Sequence, residues 1–461
     1  MAIMSTNRGA RRWLSWVIPA VAVAALAALL WPTEDKLEKV ASSKPVHPAR
    51  IGDAGTRHKP KSVKQLPTTD GAIWLENMDG VIAELERLVK AKPEIIQNVQ
   101  KLASAHHLRG RFKGDLDEIQ LGIDYATQCM KVETDEGNCV LMRAEQEQSL
   151  HRFKDARADL AIAKGKNADP IRVADLEAEL DFNDGLYEKA FAQIKKARQE
   201  RPSTPTLIRQ AQLDYDLELD ADGETAFELA EDAIHDTTPF PVAHLNLQRG
   251  IQLMGRGKLE EAIVFFREAV LRLPTYIAAN EHLAEALHRL GRDEEATTIY
   301  EKVVRLSDDP EFQHALAELY EKRGQSEEAK ALEAKARAGY EKLLGKYPEA
   351  MYWHASEFFM SIGEKKRALE LLQKNVELRP NSTSYVALAR AQLANGLVAE
   401  ATASIDKALA MPVRSASLFW TASLVKRQAG NAAEADALRD RAKKLNPRID
   451  EDEPDPTVGS P

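Results

Sequence analysis

The chain is poor in the residues that cross-link or interrupt small folds. Its 461 residues include 2 cysteines, and its 23 glycines and 21 prolines together make up less than a tenth of the chain. These counts exclude a disulfide-rich scaffold, a four-cysteine zinc ribbon and a collagen-like or loop-dominated chain. Aromatic residues make up 6%, which favours helices, because β-sheets are enriched in aromatic and β-branched residues. The net charge of −9 argues against a general nucleic-acid binder, which needs clustered lysine and arginine.

One long uncharged run lies near the N-terminus. Residues 13–31, WLSWVIPAVAVAALAALLW, hold no charged side chain over 19 positions. A helix of that length reaches about 28 Å, close to the hydrocarbon thickness of a bilayer. Trp13, Trp16 and Trp31 stand at its two ends, where indole rings favour the headgroup region. We therefore expect a single transmembrane signal-anchor in contact with the lipid bilayer. The alternative is a cleaved signal peptide, since Ala-Leu-Ala at 25–27 resembles a cleavage site.

Basic residues beside this run predict its orientation. The segment 1–12 contains Arg8, Arg11 and Arg12 and no acidic residue. The positive-inside rule then keeps this short segment in the cytoplasm and places the long C-terminal part outside it. We expect an inner-membrane, single-pass protein whose folded part is periplasmic. Further basic residues between 44 and 64 favour the opposite side, so a cytoplasm-facing chain is the alternative.

Two segments have the composition of disordered chain. Residues 32–70 combine proline and glycine with lysine, serine and threonine and show no helical or strand periodicity. Too few large apolar side chains are present to offset the entropy of ordering, so a disordered linker is expected there. Residues 448–461 are acidic and rich in proline. We expect them to form a solvated, disordered tail.

Glycine recurs at nearly equal intervals in the remaining sequence. From the second glycine of the series onward, successive spacings are 34, 33, 39, 33 and 34 residues. Alanine stands five positions after every glycine of the series, and a bulky side chain often follows four positions later. The glycines are Gly185, Gly257, Gly291, Gly324, Gly363, Gly396 and Gly430. The bulky residues are Ile194, Phe266, Tyr300, Leu372 and Ile405.

This pattern resembles the tetratricopeptide repeat, a helix–turn–helix unit of about 34 residues. The resemblance implies an all-α fold: a superhelical solenoid of about ten repeats over 93–447, preceded by a single N-terminal transmembrane helix. Residues 71–92 are expected to form a helix leading into the solenoid. One hairpin cannot bury its apolar face alone, so neighbours stack and leave a concave inner surface. The longer spacing from Gly324 to Gly363 predicts an extended helix over 331–344.

The candidate motifs for catalysis, cofactor binding or metal binding do not have the residue spacing that those functions require. Gly-Arg-Gly-Lys at 255–258 lacks the spacing of a P-loop. His282 and His288 are six residues apart and fall on different helix faces, whereas the zinc motif HExxH requires a separation of four. The acidic segment 218–224 lacks the twelfth-position glutamate of a calcium loop. We expect no catalytic residue, no cofactor and no metal, and a protein that is not an enzyme.

The two cysteines, Cys129 and Cys139, lie ten residues apart. A bridge closing this short loop would form in an oxidising compartment if the geometry allows it. The alternative is two unpaired, partly buried thiols. The sequence leaves both possibilities open.

The resemblance also implies a partner-binding groove. In tetratricopeptide repeats, positions 2, 5, 9 and 12 of each first helix tend to face the concave surface. We expect proteins or peptides to bind there, across a groove that grades from acidic residues to aromatic and basic ones. The expected groove residues are Trp353, Arg390, Trp420, Arg427, Glu281, Glu285, His288 and Glu318. The alternative for both tryptophans is packing between repeats.

Two functions fit these features. The favoured one is a membrane-tethered scaffold that recruits or positions partner proteins in a cell-envelope assembly for secretion, polysaccharide export or motility. The other is a cytoplasm-facing regulatory adaptor that resembles the membrane-anchored lipopolysaccharide assembly factor with repeats. That family ends in a cysteine-rich metal domain, whereas this chain has no cysteine after Cys139, which counts against close kinship.

Overall fold

Twenty-two helices and no strand make up the part of the chain that the structure describes. A computed structural model describes residues 63, 64, 66–133, 137–235 and 237–457. Helix α1 (Gly71–Ala91) comes first, ten helix pairs follow, and the short α22 (Ile449–Asp452) comes last. The prediction of an all-α stack of about ten helix pairs is confirmed.

The pairs follow one another along the chain with short connections. Pairs 1 to 5 are α2 (Ile96–Lys113) with α3 (Leu116–Met130), α4 (Asn138–Ser149) with α5 (Phe153–Gly165), α6 (Pro170–Asn183) with α7 (Tyr187–Glu200), α8 (Thr204–Asp216) with α9 (Asp220–Asp232), and α10 (Pro239–Gly255) with α11 (Leu259–Arg272). Pairs 6 to 10 are α12 (Ile277–Arg289) with α13 (Asp293–Leu306), α14 (Pro310–Lys322) with α15 (Ser326–Lys346), α16 (Pro348–Ser361) with α17 (Lys365–Leu378), α18 (Ser382–Ala394) with α19 (Val398–Ala410), and α20 (Ala416–Gln428) with α21 (Ala432–Leu445).

The membrane-related predictions fall on a different part of the chain. Residues 1–12, the predicted span 13–31 with its three tryptophans, and the linker up to residue 62 lie outside the described residues. Among the helices of the described ranges, none is long and apolar enough to cross a membrane.

The recurring glycines occupy the turns within the pairs. Gly257 has φ +70° and Gly291 has φ +75°, the left-handed region that side chains with a Cβ rarely adopt. The other five glycines of the series also have positive φ. Two pairs lack this glycine and place His151 (φ +57°) or Glu218 (φ +61°) in the same turn conformation. The turn geometry is therefore common to pairs whose sequences differ.

Small residues allow the two helices of a pair to touch. In pair 5, a Cβ added to Gly250 on α10 would lie only 2.4 Å from the ring of Phe266 on α11. Phe266 is fully buried, as is Ala262 at the start of the same helix. The alanine five positions after the glycine is buried in all seven units. Small and bulky residues therefore recur at this spacing because small residues are needed where the two helices of a pair cross closely.

Pair 7 contains the one long insertion that the glycine spacing indicated. Helix α15 runs over 21 residues, Ser326–Lys346, and so contains the whole of the predicted extension at 331–344. Its buried residues Ala336 and Tyr340 share a core with Phe358 of α16. The prediction of an extended helix is confirmed.

The solenoid winds tightly enough for distant pairs to meet. The Tyr187 hydroxyl of pair 3 accepts a hydrogen bond from the Ser382 backbone N–H of pair 9, at 2.8 Å. The Arg414 backbone N–H donates to the Asp216 carbonyl at 2.7 Å, which joins pair 4 to the connection before pair 10. Pair 1 meets pair 8, where the Tyr347 hydroxyl donates to Asp117 at 2.6 Å. Pairs that are far apart in the sequence therefore contact one another directly.

The segment before α1 is held against the solenoid. Arg272 donates to the Leu66 carbonyl at 2.6 Å, and the Thr69 N–H donates to the Thr237 carbonyl at 2.7 Å. The expectation of disorder throughout 32–70 is therefore wrong for residues 66–70, because α11 and the connection before α10 offer these backbone groups partners that composition does not reveal.

Cys129 and Cys139 form a disulfide, with their Cα atoms 5.7 Å apart. Cys129 is at the end of α3 and Cys139 is at the start of α4, so the bridge joins pair 1 to pair 2. Both side chains are fully buried. Of the two possibilities left open by the sequence, the structure has the bridge.

Replacing both cysteines by serine should destabilise this end of the solenoid by about 3 kcal/mol, because closing a short loop restricts the unfolded chain. Denaturant unfolding of the double variant and of the oxidised chain measures the difference. Reduction of the unaltered chain should give the same loss. Equal unfolding midpoints for oxidised and reduced protein would contradict the assignment of the bridge.

Candidate functional site: the inner cavity

A cavity of about 1630 Å³ lies inside the superhelix. All ten first helices, the even-numbered helices from α2 to α20, contribute side chains to its wall. Residues 450 and 452–456, which follow the last pair, also line it. The cavity is large enough for an extended peptide segment, and many repeats contribute side chains to its wall.

Five of the predicted groove residues line this cavity. They are His288, Glu318, Trp353, Arg390 and Trp420. They come from α12, α14, α16, α18 and α20, so each belongs to a different pair. The positions taken from the family pattern therefore give one wall residue in each of pairs 6 to 10.

The other three predicted residues lie elsewhere. Glu281 and Glu285 are buried beside His282, whose Nδ1 lies 2.6 Å from a Glu281 carboxylate oxygen. Arg427 projects at the end of α20 and forms an exposed ion pair with Asp436 at 2.5 Å. The expected gradient from acidic to basic residues along the groove is thus missing two of its acidic members and one of its arginines.

The two tryptophans belong both to the core and to the wall. Trp353 is 7% exposed and packs with Leu372, Leu388 and Ala391 between pairs 8 and 9. Trp420 is also 7% exposed and packs in the core of pairs 9 and 10. Its indole Nε1–H points at the Glu453 carbonyl oxygen, 2.5 Å away. Packing between repeats and a place on the cavity wall are therefore not exclusive for these side chains.

The C-terminal segment enters this cavity. Ile449 and Asp452 are 1% and 2% exposed, and Glu453 is 3% exposed. The expectation of a solvated, disordered tail over 448–461 is wrong for residues 449–457, because buried cationic and polar groups of the wall bind their carboxylates and carbonyls. Residues 458–461 lie outside the described part of the chain.

Two glutamates and a histidine form a buried cluster that the sequence analysis does not predict. Ligand atoms of Glu281, His282 and Glu285 all lie within 4.8 Å of one another, the arrangement a metal ion would need. Burial disfavours the imidazolium, but the two carboxylates outweigh it and raise the pKa of His282 to about 10. His282 Nδ1 lies 2.6 Å from a Glu281 oxygen and 3.6 Å from a Glu285 oxygen, so an ion pair between the imidazolium and these carboxylates holds the cluster together. The signal in the sequence was the Glu-His-x-x-Glu spacing rather than the separation of the two histidines.

Two other buried histidines face the charge of Arg111. His107 and His244 lie on α2 and α10, and their rings contact the hydroxyls of Ser149 and Tyr276. Burial, and then the positive charge of Arg111, lower the pKa of each histidine to about 3. Both rings are therefore neutral in the folded chain at any pH above that value.

Stability should fall on acidification because of these rings. Between pH 6.5 and pH 3 the unfolded chain binds protons that the folded chain excludes, so each histidine costs about 1.4 kcal/mol per pH unit as the pH is lowered. His244→Gln should destabilise the protein at pH 7 and flatten this dependence. Urea unfolding of both chains at pH 7, 6 and 5 measures it. Parallel pH profiles for the two chains would contradict a depressed histidine pKa.

Ten helix pairs around an inner cavity define a helical-repeat solenoid. Residues 253–319, from the end of α10 into α14, match the tetratricopeptide repeat family. This match is to the repeat that the glycine and alanine spacing predicted for the middle of the chain. No curated protein sequence matches it significantly.

Several solved structures are similar to the chain. A tetratricopeptide repeat protein from Parabacteroides merdae ATCC 43184 is 18% identical, with 52% of this chain and 93% of that one covered and a TM-score of 0.33. Yeast Tom70 is 14% identical, with 82% and 88% covered and a TM-score of 0.40. The Cut9–Hcn1 hetero-tetramer of the APC/C is 12% identical, with 82% and 92% covered and a TM-score of 0.32. Likenesses of this size do not bear on what the inner cavity binds.

Proposed function

We propose that the protein is a membrane-tethered interaction scaffold, and not an enzyme, that binds protein or peptide segments in its inner cavity. The observation that carries this proposal is the wall itself, to which all ten first helices contribute. A surface to which many repeats contribute can hold an extended chain along its length. Aromatic and arginine side chains, such as the buried Trp420 and the partly exposed Arg390, are common anchors of interfaces. The scaffold would recruit or position its partners in a cell-envelope assembly.

The tether and the compartment are part of the same proposal. The apolar run 13–31 would hold the chain in the inner membrane, with residues 1–12 in the cytoplasm and the solenoid in the periplasm. The disulfide between Cys129 and Cys139 supports this side of the membrane, because such bridges persist in oxidising compartments and are rare in the cytosol.

Affinity capture from membranes tests the binding role. Full-length tagged chain should retain a defined set of partners, and Arg390→Glu on the cavity wall should lose them. Arg427→Glu is the matched control, because Arg427 lies outside the cavity in an exposed ion pair. Equal capture by both variants would place the partner surface outside the cavity.

Protease added to cells with a permeabilised outer membrane tests the side. Digestion of the solenoid supports the periplasmic scaffold. Protection until the inner membrane is opened would instead support the cytoplasm-facing adaptor that resembles the lipopolysaccharide assembly factor.

A further inference from the structure

The cavity wall binds carboxylates at the end of α22 and in the segment that follows it. Arg289 Nε donates to the Asp452 carboxylate at 3.0 Å, and both side chains are almost completely buried. The Glu453 carboxylate accepts from the Ser417 hydroxyl at 2.9 Å and lies 3.3 Å from Arg390. Charge-assisted bonds of this kind are stronger than neutral ones. Two successive acidic side chains are therefore recognised by separate groups of the wall.

The same wall also binds the backbone of the segment. Trp420 Nε1 donates to the Glu453 carbonyl at 2.5 Å, Arg390 donates to the Pro454 carbonyl at 3.1 Å, and Lys365 approaches the Pro456 carbonyl at 3.5 Å. These donors belong to α20, α18 and α17 in that order, so the segment runs across the pairs against their order in the chain. Prolines 454 and 456 favour an extended backbone and have no N–H to satisfy. The wall therefore binds the backbone carbonyls and the acidic side chains of this segment in the way that a groove binds a peptide ligand.

Charge on the wall matches this occupant. Apart from residues 449–457, the lining contains ten arginine or lysine side chains and six aspartate or glutamate side chains. The segment adds four carboxylates, Asp450, Asp452, Glu453 and Asp455, which bring the two signs into balance. A cavity with an excess of cationic groups in a chain of net charge −9 favours an acidic ligand.

We propose that Arg390, Ser417, Trp420 and Lys365 form a binding site for an extended acidic, proline-containing peptide, and that residues 453–456 are its intramolecular ligand. A partner protein that presents a segment of the same chemistry displaces them. This inference rests on the proposed function and names the ligand class of the same cavity. The tail thereby sets a threshold for binding, since a tethered ligand competes at an effective concentration of about 1 mM.

A labelled peptide of residues 449–457, IDEDEPDPT, is the probe. It is titrated by fluorescence anisotropy into the full chain and into a variant that ends at Asp452, which keeps Ile449 and the pair of Arg289 with Asp452. We expect the shortened chain to bind the peptide about tenfold more tightly than the full chain, because its site is vacated. A peptide with asparagine and glutamine in place of every aspartate and glutamate should not bind. Circular dichroism and thermal melting establish that the shortened chain is folded.

A second variant keeps the full length. Glu453→Gln together with Asp455→Asn weakens the tail without removing it, and should give an intermediate gain in peptide affinity. Adding Trp420→Phe to the shortened chain should lower affinity severalfold, because the indole donor is lost, whereas Arg427→Ala should leave it unchanged.

The inference is overturned if the shortened chain does not bind the peptide, or if the full chain binds it equally well. Partner capture by a chain that fails to bind the peptide would overturn this inference and support the scaffold. Peptide binding with no partner captured from membranes would overturn the scaffold and support the site.

Discussion

Arg289→Ala should be among the most destabilising single substitutions in the C-terminal half. Arg289 is buried, its guanidinium pairs with Asp452, and Glu285 lies 3.5 Å away. Removing it leaves the buried Asp452 carboxylate without its cation, and breaking a buried pair in this way commonly costs about 3–5 kcal/mol. Urea unfolding measures the loss. Because α22 would also detach, limited proteolysis should cleave the variant beyond residue 449 before the unaltered chain.

A double-mutant cycle separates the pair from its surroundings. Arg289→Ala with Asp452→Ala should lose less stability than the sum of the two single variants, because the stranded charge is gone. Arg427→Ala is the matched control, since its exposed partner Asp436 remains solvated, and it should unfold with the unaltered chain. Additive losses at Arg289 and Asp452 would mean that the pair is not coupled.

The repeat fold could be predicted because its determinants are local. A glycine in the left-handed conformation, as at Gly291, and a buried small residue five positions later, as at Ala296, are consequences of one tight turn and one close helix crossing. Each recurs at a spacing fixed by the length of two helices. The pairs with His151 or Glu218 at the turn are harder to recognise in the sequence, because the turn position has no glycine to mark it.

The ordered tail could not be predicted because its partners are distant in sequence. Composition alone assigns an acidic, proline-containing segment to disorder. Arg289 stands 163 residues before Asp452, and only the winding of the solenoid brings α12 to α22. Residues 66–70 were misassigned for the same reason, since Arg272 is 206 residues from Leu66.

Glu281 and Glu285 show the limit of a fixed position pattern. The pattern assumes that every first helix turns the same face to the groove. In α12 the pair of His282 with Glu281 is buried, and His288 and Arg289 face the cavity instead. The ion pair between side chains of the same helix is a feature of this unit and does not follow from the repeat spacing.

Trp353→Ala with Trp420→Ala should unfold the last three pairs. Each indole is about nine-tenths buried, and replacing a buried tryptophan by alanine commonly costs about 3–5 kcal/mol. The two side chains lie in different core clusters, so their losses should be nearly additive. The expectation from the sequence that both tryptophans belong to the groove implies instead a double variant that loses its partner while remaining folded. With both indoles in the core, early melting and reduced helicity by circular dichroism are expected.

Phenylalanine at the same positions separates packing from binding. Trp420→Phe keeps an aromatic ring in the core but removes the donor to the Glu453 carbonyl, so helicity should be retained while residues 453–457 become sensitive to protease. Trp353→Phe is the matched control, because it loses the same ring area from the core. In the described part of the chain Trp353 donates no hydrogen bond to the tail, so protease sensitivity of the tail should not change in this variant. Tail cleavage that rises equally in both variants would mean that core packing, and not the indole donor, holds the segment in the cavity. If the Trp353→Ala, Trp420→Ala chain stays folded and loses its partner, the two tryptophans act mainly in binding and contribute little to the stability of the fold.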